Sequence, residues 1–307
     1  MSTFDDFLIL EQYAEMINEV QIQFNRNKDV QFGNAVIMAG GAGSGKGFVL
    51  NNLVGIQGKV FDVDALKSLA MIAPRINAMV QKKYNKSLEN MDLKNPDDVF
   101  ALHTIIGDEL RLPNKQQQAF FTSIIQGDKA RKPNIIFDVT LKDMKKFDEI
   151  VRSLGQKGIE YDKKKIHIVW VVNDVQVAMK QNQERARTVP EHILINTHSG
   201  VNSTMKEIVK MGESLRQHMD GDIFFAFAKA EVDNKYIDGG KKQGKVFTSK
   251  NVNKKGEKAG YKSGYLKEAT YIQIKKVGQP PMKLEEISKD ILRKIDGYTP
   301  DNTDWDS

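Results

Sequence analysis

Gly40, Gly41, Ala42, Gly43, Ser44, Gly45 and Lys46 carry the spacing G-x-x-x-x-G-K. Glycines reach backbone conformations closed to other residues, so successive N–H groups can turn inward around an anionic oxygen. The apolar run AVIMAG over 35–40 comes just before, and Phe48, Val49, Leu50 and Leu53 follow at a spacing that suits a helix packed on a sheet. Strand before and helix after is the context in which this spacing binds phosphate, with the helix N-terminus adding partial positive charge. Lys46 is then placed to bridge the β- and γ-phosphates of a nucleoside triphosphate and to follow negative charge as it develops. A glycine-rich turn with an incidental lysine is the alternative, and it would not need the flanking strand and helix.

Gly47 stands where this motif ordinarily continues with Ser or Thr, whose hydroxyl holds Mg²⁺. Three possibilities stay open: water and acidic groups hold the metal, Ser44 contributes, or metal binding is weakened. Phosphate binding by Gly40 through Gly47 does not depend on the missing hydroxyl, because backbone and Lys46 supply it.

Carboxylates recur at the ends of apolar runs. KVFDVD (59–64) places Asp62 and Asp64 at the C-terminal end of an expected strand, the edge beyond which open α/β sheets bind ligands. Asp64 and Lys67 are three apart and share one side of the following helical turn. Asp64 suits a general base for an attacking hydroxyl, and Lys67 a partner for an anionic substrate. Asp64 as a simple helix cap is the competing reading. Asp62 can orient its neighbours or face Mg²⁺. NIIFDVTLKD repeats the arrangement: Asp138 ends the run NIIFDV (134–139), where an acid would hold Mg²⁺ through water. Thr140 and Lys142 lie in the turn beyond. Thr140 offers a hydroxyl to the substrate or caps a helix.

In KQNQERARTVP, Arg185 and Arg187 lie near a helix end, with Pro190 beginning the next helix. Arginine forks suit phosphoryl oxygens in a transition state, although two surface arginines are usually only solvated.

These groups need a scaffold. Further apolar runs at KIHIVWVV (165–172) and FFAFAKA (224–230) read as strands. Asn95-Pro96-Asp97-Asp98 signals a helix start, running to about Leu110, and a helix over 143–154 ends at Gly155. Strands alternating with helices imply a mostly parallel α/β sheet. An N-terminal helix is expected over 5–25. After about 231, Gly, Lys and Asn dominate, and Lys241 to Lys262 is densely cationic. YIQIKK (271–276) then alternates like a half-buried strand, LEEISKDILRKI (284–295) reads as an amphipathic helix, and the tail from Thr299 reads as polar and frayed. Three parts are expected: an N-terminal helical segment at 1–32, a main domain at 33–230, and a basic extension or small α+β subdomain at 231–307.

The 307 residues, 40% hydrophobic, can bury a core. The absence of cysteine excludes disulfides and thiolate metal sites. Met1 to Leu10 has no basic start or apolar core, and no apolar run reaches the ~18–20 residues of a membrane span, so a soluble, cytoplasmic protein is expected. A net charge of +6 and a pI of about 9.1 favour polyanionic ligands.

In order and spacing, GGAGSGKG, FDVDALKS, NIIFDVTLKD and RARTVPEHI resemble the zeta-toxin and polynucleotide-kinase branch of the P-loop kinases, over roughly residues 34–215. The resemblance implies a P-loop kinase-type sheet flanked by helices, with ATP and Mg²⁺ used. Within it, Asp64 and Lys67 match the Asp-x-x-Arg/Lys element whose Asp is the base. Asp138, Thr140, Leu141 and Lys142 match an acidic-x-Thr-Leu-Arg substrate element with conservative changes. Arg187, with Arg185 as second candidate, matches the charge-stabilising arginine of Arg-x-x-Pro. Gly47 departs from the family. Zeta toxins phosphorylate UDP-N-acetylglucosamine, and relatives phosphorylate nucleic-acid ends, so a nucleotide-sugar, DNA or RNA is the implied acceptor; an antitoxin partner is compatible with it. The stretch 241–262, with Phe247, Tyr261 and Tyr265, suits a nucleic-acid backbone or is a solvated loop. A nucleotide-binding protein without phosphotransfer is the third reading, resting on Gly47.

Overall fold

The computed structural model describes residues 22, 24, 32–85, 87–127, 131–184, 188–227, 246–247, 264–265, 271–299 and 305. The expected N-terminal helix, apart from Ile22 and Phe24, lies outside the described residues, as does almost all of the cationic stretch.

Strand β1 (Ala35–Ala39) is buried on both faces, as its unbroken apolar sequence requires of a central parallel strand. Strands β2 (Lys59–Asp62), β3 (Ile135–Asp138), β4 (Ile166–Val172) and β5 (Ile223–Phe227) run parallel to it. Strands β6 (Val246–Phe247) and β7 (Gly264–Tyr265) form a separate antiparallel pair. Strand β8 (Tyr271–Lys275) closes the main sheet antiparallel to β5, giving six strands in the order β2-β3-β1-β4-β5-β8. The expected mostly parallel sheet is thus present, and the C-terminal α+β extension is built onto its edge. The chain leaves β1 toward β2 and β3 on one side and returns for β4 and β5 on the other. The crevice beyond the C-terminal end of β1 is therefore the switch point of the sheet, where ligands bind in open α/β folds.

Helices α1 (Lys46–Asn52), α2 (Val63–Ile72), α3 (Pro74–Tyr84), α4 (Pro96–His103), α5 (Leu112–Gln126), α6 (Met144–Leu154), α7 (Val175–Glu184), α8 (Glu191–Lys210) and α9 (Lys289–Tyr298) flank the sheet. Local chemistry sets their ends. The Asn95 side chain accepts from Asp97 N–H with Pro96 behind it, and the Asp143 side chain accepts from Lys146 N–H. The helix begun at Pro96 passes into a π turn over Thr104–Glu109, ending at Leu110 as expected.

Alternation along the strands divides the core. Ala35, Ile37, Trp170 and Phe225 face α6, α8 and α9, whereas Val36, Met38, Val169 and Phe224 face α1 together with Ile22. Ala70, Val80, Leu102 and Ile106 make a third cluster within the helical insertion between β2 and β3.

Two expectations at the C-terminus need correction. The amphipathic helix over 284–295 is a 3₁₀ turn at Leu284–Glu286 and then α9, because extended Ile287 and Ser288 restart the chain. The tail is not simply frayed. Thr299 is buried, and Trp305 is fully buried, stacked on Trp170 with ring centroids 5.6 Å apart. The Trp305 indole N–H donates to Asn202 Oδ1 at 2.6 Å, and Asn202 Nδ2 donates to Thr299 Oγ1 at 2.8 Å. One indole hides more apolar surface than the polar residues around it can keep in water.

Candidate functional site

The chain leaves β1 through Gly40 and enters α1 at Lys46. Gly43 (φ 73°) and Gly45 (φ 88°) take left-handed conformations, so the loop needs glycine there. It is also closely enclosed. A Cβ at Gly41 would fall 2.2 Å from the His198 ring, and one at Gly43 would fall 2.7 Å from the Ala178 carbonyl oxygen. Gly47, by contrast, faces open space within 4 Å. Ser44 is buried beneath the loop, and its hydroxyl has no hydrogen-bond partner among the described residues.

Lys46 Nζ donates to the Gly40 carbonyl at 2.8 Å and the Gly41 carbonyl at 3.4 Å, and it lies 3.8 Å from Asp138 Oδ1. Asp138 ends β3, where it is register partner of both Met38 on β1 and Asp62 on β2. Parallel register partners project to the same side, so Asp62 and Asp138 form a carboxylate pair across two strand ends, on the sheet face that carries α1. The Gly40 N–H donates to the Thr140 carbonyl at 3.3 Å, tying the loop to the turn after β3.

Other expected residues fall differently. Strand β2 ends at Asp62, so Asp64 belongs to the first turn of α2 instead of the strand end. The Asp64 side chain lies outside the described residues. Lys67 is buried in α2. Asp143 caps α6, which removes Thr140 as that cap. Lys142 is exposed, and its backbone lies beneath Gly200 of α8, where a Cβ would fall 2.6 Å from the Lys142 carbonyl oxygen.

Arg185 and Arg187 lie outside the described residues, and the residues on either side of them are bonded as follows. Asn182 Nδ2 donates to the Val189 carbonyl and Val189 N–H donates to Asn182 Oδ1, at 2.8 and 2.9 Å. Thr188 donates through its N–H to the Leu93 carbonyl and through its hydroxyl to the Lys94 carbonyl, each at 3.0 Å. The last two bonds join Thr188 to the helical insertion.

The helix expected to begin at Pro190 is α8, and what reading along the sequence missed is its contact with the phosphate loop. Thr197 Oγ1 accepts from the Ala42 N–H at 3.1 Å, and His198 Nε2 donates to the Ala42 carbonyl at 2.9 Å. Burial holds the His198 imidazole below its ordinary value. The bond to Ala42 opposes that shift, the nearby Lys46 ammonium reinforces it, and Asp174 opposes it again. The only local signal was a histidine and a glycine, His198 and Gly200, inside an otherwise helical run.

The enclosed loop, the Ser44 hydroxyl, unpartnered among the described residues, and the Lys46 ammonium fit the phosphates of a nucleotide. The fit to Mg²⁺ is narrower. Among the described residues no group of three or more His, Cys, Asp or Glu could hold a metal. Asp62 and Asp138 make a pair, and Mg²⁺ is commonly held by one or two carboxylates plus phosphate oxygens and water. A groove of about 500 Å³ between α5 and α6, lined by Gln117, Phe121 and Ser153 among others, shares no residue with this site.

The architecture is α/β, a mostly parallel six-stranded sheet with a glycine-rich loop between β1 and α1. No protein-family model matches the chain, and no curated protein matches it. Among solved structures, it is similar to a chain of the PezAT chromosomal toxin–antitoxin system of Streptococcus pneumoniae, at 14% identity and a TM-score of 0.40, covering 74% of this chain and 78% of that one. It is also similar to AvrRxo1-ORF1:-ORF2 with ATP, at 11% identity and a TM-score of 0.34, covering 73% and 63%. Deoxyadenosine kinase from M. mycoides with bound dATP gives 15% identity and a TM-score of 0.25, covering 65% and 92%. The chain spans less than two thirds of the AvrRxo1 chain. These likenesses are distant, and the chemistry below rests on this chain's own loop and strand ends. Among the described residues no helix is long and apolar enough to cross a membrane.

Proposed function

We propose that the protein is an ATP-dependent phosphotransferase that moves the γ-phosphate to a substrate hydroxyl, with a nucleotide-sugar as acceptor. The observation that carries this reading is the 3.8 Å approach of Lys46 Nζ to Asp138 across the mouth of the glycine loop, with Asp62 alongside in register. It sets a cation for phosphate beside carboxylates for metal at the switch point of the sheet.

ATP enters as a substrate. Moving the Lys46 ammonium from the Gly40 and Gly41 carbonyls to phosphate oxygens exchanges neutral acceptors for charged ones, and charge-assisted bonds are about twice as strong. Asp138, with Asp62, would hold Mg²⁺, which when bound neutralises charge on the β- and γ-phosphates. Asp64, one helical turn from Lys67, takes the proton of the acceptor hydroxyl as its oxygen attacks the terminal phosphorus. The bond from that phosphorus to the bridging oxygen breaks, and ADP leaves. Arg185 and Arg187 stabilise the transferring group. The acceptor class rests on the resemblance of FDVDALKS, NIIFDVTLKD and RARTVPEHI to zeta toxins, and an antitoxin partner belongs to the same proposal.

The test is incubation with γ-labelled ATP and a mixture of nucleotide-sugars, nucleosides, DNA and RNA. Label in a nucleotide-sugar is expected. Label in DNA or RNA, with binding that weakens steeply as salt rises, would move the reading to a polynucleotide kinase. ATP binding without transfer, with or without Mg²⁺, would replace it by a non-catalytic nucleotide-binding protein. Lys46→Ala should abolish transfer. Asp64→Asn should keep ATP binding and lose ~10²–10⁴-fold in rate, the usual worth of general-base help, and full activity in that variant removes Asp64 as the base.

A further inference from the structure

Glycine-rich loops carry an entropic penalty. Glycine loses more freedom on ordering than any other residue, and a loop that orders only on binding subtracts that loss from affinity. In this chain the loop is held by an element outside the motif. Both polar groups of one loop residue are bonded to adjacent side chains of α8: the Ala42 N–H donates to Thr197 Oγ1 at 3.1 Å, and the Ala42 carbonyl accepts from His198 Nε2 at 2.9 Å. We propose that Thr197 and His198 are positioning residues for nucleoside triphosphate, holding the phosphate loop in its binding conformation from α8. The proposal rests on the nucleotide-binding reading above and goes beyond it, because neither residue belongs to the loop motif.

The surroundings are built for this contact. The Thr197 hydroxyl donates its proton to the Leu194 carbonyl at 2.8 Å, which leaves its oxygen as the acceptor for Ala42. A carbonyl partner requires the proton on His198 Nε2. The ring is nearly fully buried, and it occupies the volume that a side chain at Gly41 would need. The same helix supports the turn after β3, since Gly200 lies against the Lys142 backbone. One face of α8 thereby fixes the spacing between the phosphate loop and the turn that follows Asp138. The clamp also commits the Ala42 amide to Thr197, so it selects which loop amides remain for the anion.

The experiment measures the Kd of a non-hydrolysable ATP analogue by calorimetry, alongside the Tm of the ligand-free protein. Thr197→Val and His198→Leu keep the volume and remove the bond. Thr197→Ser and His198→Gln keep an acceptor or a donor. The expected result is a Kd about tenfold higher for the first pair, the equivalent of one hydrogen bond of ~1.4 kcal/mol, and within about threefold of wild type for the second. Conservative and non-conservative variants that weaken binding equally, or in step with their Tm, overturn the positioning role. Unchanged Kd in all four, with wild type binding, overturns it and leaves the nucleotide reading intact. Wild-type protein that binds no nucleotide overturns both. Amide exchange at Ala42 in the ligand-free wild type provides a check that needs no variant. Slow exchange is expected, and exchange at the rate of an open loop overturns the clamp.

Discussion

Two glycines of one loop have opposite needs. At Gly41 an added methyl would run into the buried His198 ring, which has nowhere to retreat without breaking its bond to Ala42. Gly41→Ala should therefore cost ~1–3 kcal/mol, as overpacked sites do, and should weaken nucleotide binding; urea unfolding and an ATP titration check both. Gly47 is exposed, lies in the first turn of α1 and faces open space. Gly47→Ser should be tolerated and should gain about 0.5 kcal/mol from better helix propensity. It also restores a hydroxyl after Lys46, so the Mg²⁺ concentration for half-maximal transfer should fall. A Gly47→Ser protein that transfers phosphate with an unchanged Mg²⁺ requirement would show that Asp62 and Asp138 suffice. The loop motif was legible because its chemistry is local. Thr197 and His198 were not, because they meet Ala42 from 155 and 156 positions away and nothing beside them in the sequence announces an anion.

Elements were legible wherever local rules decide. The cap at Asn95, the helix over 143–154 and the apolar runs of β1 and β4 followed from residue type alone. The misread boundaries lie where tertiary contacts decide, as at β2, which ends before Asp64, and at α9, which restarts after Ser288. Strand β8 teaches the same lesson through one side chain. Alternation alone places Lys275 in a half-buried strand, yet it is almost wholly buried and donates to Asp220 at 3.1 Å, and Asp220 also accepts from Arg216 at 3.0 Å. Burial alone would raise the Asp220 carboxyl, but bonds and charge from Lys275 and Arg216 hold it below its ordinary value. The two partners differ in consequence. Asp220→Asn strands a buried ammonium and should cost ~3–5 kcal/mol, whereas Lys275→Met leaves Asp220 with Arg216 and should be near neutral. Urea unfolding of the two variants measures the asymmetry, and equal losses would count against it.

The whole molecule is closed by its own tail. Trp305 stacks on Trp170 and meets Phe225 edge-on, with centroids 5.7 Å apart, so residues from β4, β5 and the C-terminal tail share one aromatic cluster. Trp305→Ala should cost ~3–5 kcal/mol, the usual loss for removing a buried aromatic, as a drop in Tm at unchanged ATP affinity; a drop in both would extend the cluster's influence to the loop.

At the scale of the whole molecule, two buried histidines predict how stability depends on pH. His198 lies against the loop, with Lys46 and Asp174 as its charged neighbours. His167 on β4 is fully buried, and its Nδ1 accepts from the Asp222 N–H at 2.9 Å. Burial lowers its pKa; the Asp222 side chain pulls it upward, and Lys275 and Lys165 push it down again. Both imidazoles therefore resist protonation in the folded chain, while in the unfolded chain they titrate near the ordinary ~6.5. Below that pH, and until the folded pKa is reached, the unfolded state binds more protons, so stability falls as pH falls. The slope is up to about 1.4 kcal/mol per pH unit for each histidine. Asp220 acts in a lower window, since a depressed carboxyl loses its contribution only as pH drops below ~4. Unfolding free energy measured by urea from pH 8 to pH 3 should accordingly hold steady to about 7, decline through 6 and 5, and then fall again near 4. His167→Gln should shrink the upper decline while leaving the lower one in place. A wild-type profile level down to pH 5 would mean that neither ring is held below its ordinary value inside the folded protein.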